Sequence, residues 1–170
     1  YRALDPIIRL ISKTGITPNG ITTIGLFITI LSALVLIVGA ENGARGDFRY
    51  ITWFGVLILI AGLFDMLDGQ LARKTKKMTT FGALYDSVLD RYGELVMFLG
   101  ISYYLVSQDY FLSSVFAFIA MIGSIMVSYV RARAETLGFE CKVGMMQRPE
   151  RVLVIGVSAI LYGVISYFFG

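Results

Sequence analysis

The stretch "FDMLDGQLARKTKKMTTFGALYDSVLDR", residues 64–91, places four aspartates beside sequence that is almost entirely apolar: Asp65, Asp68, Asp86 and Asp90. The whole chain of 170 residues is 56% hydrophobic and only 16% charged, which is outside the usual range of a soluble domain. A single Asp at the centre of a membrane helix costs about 2.5 to 3.5 kcal/mol to insert. The stretch therefore predicts a membrane protein whose aspartates are stabilised by something cationic.

The hydropathy pattern predicts an all-α bundle of transmembrane helices. A helix needs close to 20 apolar residues to cross ~30 Å of hydrocarbon. Five stretches approach this length, and they are residues 20–40, 50–72, 81–106, 110–132 and 151–169. We find no linker that would separate a second domain, so residues 1–170 are expected to form one integral-membrane domain.

A short amphipathic helix is predicted ahead of the first span. In "DPIIRLISKTG", residues 5–15, Arg9 and Lys13 lie four residues apart among apolar side chains. This pattern is typical of a helix that lies in the membrane interface, with a frayed leader as the alternative.

The basic residues predict the orientation of the chain. Lys and Arg are retained on the cytoplasmic side, and 12 of the 15 lie before the first span, between the second and third, or around the loop between the fourth and fifth. The chain is therefore expected to be a multi-pass protein of the cell inner (cytoplasmic) membrane, with the loops 74–80 and 131–151 facing the cytoplasm. The net charge of +3 is modest, and no nucleic-acid partner is expected.

The aspartates lie on one face of each of two predicted helices. On the second span, Asp65, Asp68, Gly69, Ala72 and Arg73 fall within an arc of about 140° at 3.6 residues per turn. Helix-end salt bridges are the alternative interpretation of the aspartates.

The third span carries a matching stripe. Gly82, Asp86 and Asp90 fall within an arc of about 80°. A loop of about seven residues is expected to join the two helices as antiparallel neighbours and to bring their carboxylates together in the cytoplasmic third of the membrane. Close helix packing is the alternative interpretation of the glycines.

Composition limits the chemistry that such a site supports. The chain has no His, and its single cysteine, Cys141, excludes a disulfide within the sequence. Carboxylates without His or Cys suit Mg²⁺, Mn²⁺ or Ca²⁺ better than zinc, and four of them could hold one or two ions. A cation transporter is an alternative function, because intramembrane aspartates also mark ion pathways. The outer halves of the spans carry no charge that would continue such a path.

Residues 65–90 read D-x2-D-G-x2-A-R-x8-G-x3-D-x3-D, which resembles the signature of the CDP-alcohol phosphotransferase family at every fixed position. The resemblance extends upstream to Pro18-Asn19 with Thr22, and downstream to "SYVRARAE" and "QRPERV". It implies six membrane helices after an interfacial helix, so a sixth helix is expected to follow the five, or this chain departs from the family.

The resemblance also implies a function and a set of site residues. The family displaces CMP from a CDP-linked lipid, here expected to be CDP-diacylglycerol, by an incoming alcohol. Asp65, Asp68 and Asp86 resemble ligands of Mg²⁺ or Mn²⁺, Asp86 and Asp90 lie near a second ion, and Asp90 resembles the general base. The positions that resemble the nucleotide site are Asn19, Thr22, Gly69, Ala72, Arg73, Thr79 and Gly82. For Asn19 and Thr22 a helix cap is the alternative.

The acceptor is expected to be a cytosolic phosphorylated alcohol. The "DSxxDR" pattern at residues 86–91, with "RARAE" and "RPER", resembles members that use inositol phosphate, and glycerol 3-phosphate is the main alternative. The expected phosphate ligands are Arg131, Arg133, Lys142, Arg148 and Arg151, of which Arg131 and Arg133 rank first. Positive-inside bias and contact with anionic headgroups are the alternative explanation of these residues. Glycine-rich spans make a homodimer plausible.

Overall fold

The computed structural model describes residues 8, 15–43, 47–75, 78–139 and 147–169, and the elements in these ranges are α-helices. There are five long helices in the described ranges, and they are α1 (Pro18–Asn42), α2 (Arg49–Lys74), α3 (Thr80–Ser107), α4 (Phe111–Thr136) and α5 (Arg148–Phe169). Each predicted span coincides with one of them to within a few residues. The all-α prediction is confirmed.

The lengths and compositions of the helices define a multi-pass membrane protein. Four of the five, α1, α2, α4 and α5, are long and apolar enough to cross a membrane. Large apolar side chains such as Phe27, Trp53 and Phe116 lie on the outside of the bundle, as expected for groups that face lipid. The remaining helix, α3, corresponds to the third predicted span; it has 28 residues and carries Asp86, Asp90 and further charged residues within its length.

The predicted interfacial helix lies outside the described residues, apart from Ile8. That side chain is buried and packs with Ile21 of α1 and with Leu67 and Leu71 of α2. Ile8 therefore lies against α1 and against the last turns of α2.

The helix packing differs from the predicted arrangement of α2 and α3. In the described part of the chain, α1 packs against both of them, α5 packs on α2, and α4 packs on α3, whereas α2 and α3 are not a closely packed pair. Close approach of α1 to α3 explains the difference: a Cβ on Gly100 would lie only 2.9 Å from the Cα of Ala33. The prediction that α2 and α3 are direct neighbours is therefore wrong in its backbone packing.

Threonine caps fix the starts of helices α1 and α3. The hydroxyl of Thr17 accepts a hydrogen bond from a backbone amide in the first turn of α1, and Pro18 occupies the first helical position. Thr79 caps α3 in the same way. Since Thr17 is the cap of α1, the capping alternative for Asn19 and Thr22 is wrong.

An apolar cavity of about 680 Å³ lies among the helices at the end away from the aspartates. Its lining includes Leu36, Phe54, Phe98, Tyr104 and Tyr162. None of the four aspartates lines this space, so it is distinct from the acidic site.

Candidate active site

Three of the four aspartates meet at one end of the bundle. Asp65 and Asp68 lie near the end of α2, and Asp86 lies near the start of α3. Each offers an oxygen, and these oxygens all lie within 4.8 Å of one another. We call these three residues the acidic cluster. It forms even though the α2 and α3 backbones are not closely packed, because the side chains span the gap.

The acidic cluster has the donor set of a site for a hard divalent cation. Asp68 is only 5% exposed, and Oδ1 of Asp86 is buried with no hydrogen-bond partner among the described residues. Buried polar atoms without partners are rare in folded proteins, and a carboxylate oxygen is a preferred ligand of Mg²⁺ and Mn²⁺. The residues present therefore fit such an ion.

The fourth aspartate, Asp90, is held by an arginine from α5. Arg148 Nη1 lies 2.6 Å from Asp90 Oδ1 and also donates to Asp65 Oδ1. Both carboxylates are half-buried, and one guanidinium serves the two of them. Arg148 thus links the predicted general base to the acidic cluster and leaves a local excess of negative charge.

Helix α1 supports the cluster with a hydroxyl. Thr22 Oγ1 lies 2.6 Å from Asp68 Oδ2, to which it donates, and 3.1 Å from the carbonyl oxygen of Pro18. One residue further on, the Thr23 hydroxyl lies 2.9 Å from that of Tyr85 on α3. Thr22 is therefore oriented toward a carboxylate of the cluster, whereas Thr23 contacts a neighbouring helix.

A second charged group, not identified from the sequence, lies one helical turn beyond Asp90. Glu94 is 3% exposed; its Oε1 accepts from Arg151 Nη2, and its Oε2 lies 3.4 Å from Arg91 Nη1. The signal was present in the spacing, because Glu94 continues the four-residue repeat of Asp86 and Asp90. The family signature ends at Asp90 and does not include Glu94.

The predicted nucleotide positions lie at the same end of the bundle. A Cβ on Gly82 would lie 3.0 Å from Thr79 Oγ1 and 3.3 Å from Asn19 Oδ1, so the starts of α1 and α3 approach each other at this glycine. On α2, a Cβ on Gly69 would meet only Arg73 Nη2, at 3.7 Å. Gly69 is therefore not needed for helix packing among the described residues.

The remaining two positions of the α2 motif lie next to the cluster in the last turns of the helix. Ala72 is half-buried, and the Arg73 side chain is exposed. An exposed guanidinium at the end of this helix is accessible to a ligand that approaches the cluster.

The predicted phosphate ligands separate into two groups. Arg148 and Arg151 contact carboxylates of α2 and α3 at the site. Arg131 is half-buried and Arg133 exposed near the end of α4, and neither forms an ion pair with a described residue. Lys142 lies outside the described residues. The described contacts thus bring the α5 pair to the acidic site, and the assignment of all these residues to the acceptor phosphate stays a prediction.

The fold and the site together define a polytopic membrane protein with an acidic, all-oxygen site at one end of a helical bundle. Residues 15–169 match the family model described as CDP-alcohol phosphatidyltransferase. The chain belongs to this family of membrane enzymes.

The curated relatives include bacterial and archaeal synthases of inositol phosphate lipids. Phosphatidylinositol phosphate synthase of Mycobacteroides abscessus is 32% identical over 160 residues, which are 94% of this chain and 69% of the relative. The enzyme of the same name from Corynebacterium glutamicum is 34% identical over 163 residues, covering 95% and 70%. Archaetidylinositol phosphate synthase of Pyrococcus horikoshii is 33% identical over 163 residues, covering 95% and 78%.

Solved structures of a phosphatidylinositol phosphate synthase share the fold. The crystal structure of the Mycobacterium tuberculosis enzyme with CDP-DAG bound has a TM-score of 0.75 at 25% identity and covers 99% of this chain and 89% of that chain. The same enzyme in complex with manganese and citrate has a TM-score of 0.70 at 25% identity, with coverage of 95% and 82%.

Proposed function

We propose that this enzyme transfers the phosphatidyl group of CDP-diacylglycerol to inositol phosphate, which yields phosphatidylinositol phosphate and CMP. The observation that carries the proposal is the contact of Arg148 with both Asp65 and Asp90. It places a cation suited to phosphate beside the proposed base and the acidic cluster. The inositol phosphate headgroup in the names of the bacterial and archaeal relatives supports the acceptor.

The acidic cluster would hold Mg²⁺ or Mn²⁺. When bound, the ion neutralises negative charge on the donor pyrophosphate and on the CMP leaving group. Asp65, Asp68 and Asp86 supply the ligands, and Asp86 with Asp90 would border a second ion. The manganese complex of the Mycobacterium tuberculosis relative supports this assignment.

Asp90 would act as the general base. It takes the proton of the acceptor hydroxyl, and the acceptor oxygen then bonds to the phosphorus that carries the diacylglycerol. The bond from that phosphorus to the bridging pyrophosphate oxygen breaks, and CMP leaves with the electron pair. Arg148, 2.6 Å from Asp90, keeps the carboxylate near the acceptor and offers a guanidinium to the acceptor phosphate.

The nucleotide would lie between the starts of α1 and α3 and the end of α2. The supporting observation is that Asn19 and Gly82 already adjoin one another at this place. The exposed side chain of Arg73 is available to the pyrophosphate. The proposed contacts are Asn19, Thr22, Gly69, Ala72, Arg73, Thr79 and Gly82.

The topology belongs to the same proposal. We infer that α3 also crosses the bilayer, that the site opens to the cytoplasm, and that two copies associate as a homodimer. Concentration of the charged groups at one end of α2, α3 and α5 supports an aqueous entrance on that side.

Glycerol 3-phosphate is the second candidate acceptor, because the same two arginines would bind its phosphate. Free inositol would leave Arg148 and Arg151 without a phosphate partner. Because the chain belongs to a transferase family, transfer to inositol phosphate or to glycerol 3-phosphate is favoured over the function of a cation transporter.

A substrate survey tests the proposal. Purified protein in lipid nanodiscs with CDP-diacylglycerol and Mn²⁺ receives inositol phosphate, inositol or glycerol 3-phosphate, and CMP release is followed by chromatography. We expect inositol phosphate to exceed free inositol by at least about 100-fold in kcat/KM, because the arginines would otherwise remain unpaired by substrate. Preference for glycerol 3-phosphate would overturn the acceptor assignment. The same assay with an archaetidyl donor in place of CDP-diacylglycerol tests which class of donor lipid the enzyme uses.

Thr22→Val is expected to weaken Mn²⁺ binding by about 10- to 100-fold, the usual cost of losing a group that orients a metal ligand. The variant keeps the side-chain shape but removes the hydrogen bond to Asp68. Thr23→Val is the matched control, because the Thr23 hydroxyl contacts Tyr85 and no aspartate. Mn²⁺ titration by electron paramagnetic resonance measures both, and equal affinities in the two variants would contradict the role of Thr22.

A further inference from the structure

Glu94 is the most buried carboxylate at the charged end of the bundle. It is 3% exposed and lies a full helical turn beyond Asp90, at the middle of α3. Each of its two oxygens accepts from a different arginine, Arg151 of α5 and Arg91 of α3. A carboxylate so far from water persists only when it is paired, so these contacts account for its burial.

Two ion pairs of the same kind connect α3 to α5. Asp90 and Glu94 are four residues apart on α3, and their partners Arg148 and Arg151 are three residues apart on α5. Residues at these spacings share a helix face, so the two ion pairs lie one above the other. In the described part of the chain α5 packs its backbone on α2 and not closely on α3, so charged side chains make this connection.

The charge balance differs between the two ion pairs. We call the pair at Asp90, nearer the start of α3, the outer level, and the pair at Glu94, one turn further along the helix, the inner level. At the outer level one guanidinium, that of Arg148, faces two carboxylates. At the inner level one carboxylate, that of Glu94, faces two guanidinium groups. Among the described residues, the first level has two carboxylates for one guanidinium, whereas the second has two guanidinium groups for one carboxylate, and guanidinium groups are well suited to binding phosphate.

We propose that Glu94 is a positioning residue that holds Arg151 at the edge of the acidic site so that the guanidinium binds the phosphate of the acceptor. The proposal rests on the proposed transfer to a phosphorylated acceptor. Arg151 has several rotatable bonds, and a fixed carboxylate reduces the ordering cost when phosphate binds. Glu94 also faces Arg91, so a single carboxylate is shared between two guanidinium groups.

Glu94→Gln separates positioning from catalysis. The amide keeps the size of the side chain and loses the charge that orients Arg151. We expect KM for inositol phosphate to rise about 10-fold, while kcat and KM for CDP-diacylglycerol change less than about threefold. Glu41→Gln, at the other end of the bundle, is the matched control. An unchanged acceptor KM, or an equal rise in both KM values, would overturn the proposal.

The exchange variant Glu94→Arg/Arg151→Glu tests for a purely structural role and remains informative if Glu94→Gln fails to fold. Exchange restores an ion pair between the same positions but removes the cation that faces the acceptor. We expect thermal stability to return toward that of the wild type while acceptor KM stays high. Recovery of both stability and acceptor KM would show that Glu94 only stabilises the fold, and would sink the proposal.

The wild-type enzyme distinguishes failure of this inference from failure of the proposed function. If wild type releases CMP with glycerol 3-phosphate and not with inositol phosphate, the acceptor assignment fails, and the Glu94 variants are measured with glycerol 3-phosphate. If wild type uses inositol phosphate and Glu94→Gln has an unchanged acceptor KM, only the positioning role fails.

Discussion

Asp90→Asn is expected to abolish CMP release while CDP-diacylglycerol still binds. The amide has nearly the shape of the carboxylate but cannot accept the proton of the acceptor hydroxyl, so we expect kcat to fall by about 10² to 10⁴. At position 90, Arg148 loses the charge of the partner that lies 2.6 Å away but keeps its ion pair with Asp65, so α5 remains linked to the acidic cluster. Single-turnover assays of CMP release measure the chemical step.

Donor binding and a matched substitution provide the controls for this variant. Binding of CDP-diacylglycerol, measured by thermal shift in detergent, is expected to match that of the wild type. Asp109→Asn makes the same chemical change in the turn after α3, where a positive φ of 64° is tolerated by Asn as well as by Asp, and is expected to retain full activity. Full activity in Asp90→Asn would remove Asp90 as the base.

The sequence predicted the helices and the acidic stripes well, because both depend on local periodicity. Span length follows from the apolar runs, and a carboxylate stripe follows from spacings of three and four residues. Asp65, Asp68 and Asp86 converge as those spacings indicated. The carboxylates of α2 and α3 come together although the two helix backbones do not pack closely as predicted, because the side chains extend across the gap.

The packing partners could not be predicted in the same way, because they depend on contacts between distant parts of the chain. The position of α1 against both α2 and α3 depends on small residues that meet, such as Ala33 and Gly100, and many other glycines in the sequence carry the same local signal. The pairing of Arg148 with Asp65 and Asp90 likewise depends on contacts between helices that are distant in sequence. Arg131 and Arg133 ranked first because they project from the inner end of the fourth span, whereas helix packing brings Arg148 and Arg151 of α5 to the site.

Asp86→Asn is expected to cause the second large loss, through the metal. Oδ1 of Asp86 is buried without a hydrogen-bond partner among the described residues, and the other two carboxylates of the cluster lie within reach of the same ion. An amide oxygen is a weaker, uncharged ligand. We therefore expect Mn²⁺ affinity to fall by more than about 100-fold, beyond the 10- to 100-fold cost of losing an orienting group, and activity to fall with it.

Metal titration separates this effect from a general loss of structure. Mn²⁺ binding by electron paramagnetic resonance is measured on wild type, Asp86→Asn and Asp90→Asn, each checked for folding by size-exclusion chromatography. Chelation of the wild type should abolish CMP release, and Mn²⁺ or Mg²⁺ should restore it. In Asp86→Asn a higher Mn²⁺ concentration should recover part of the activity, whereas in Asp90→Asn it should recover none, because a base cannot be replaced by more metal. Equal Mn²⁺ affinity in wild type and Asp86→Asn would contradict the assignment of the acidic cluster as the metal site.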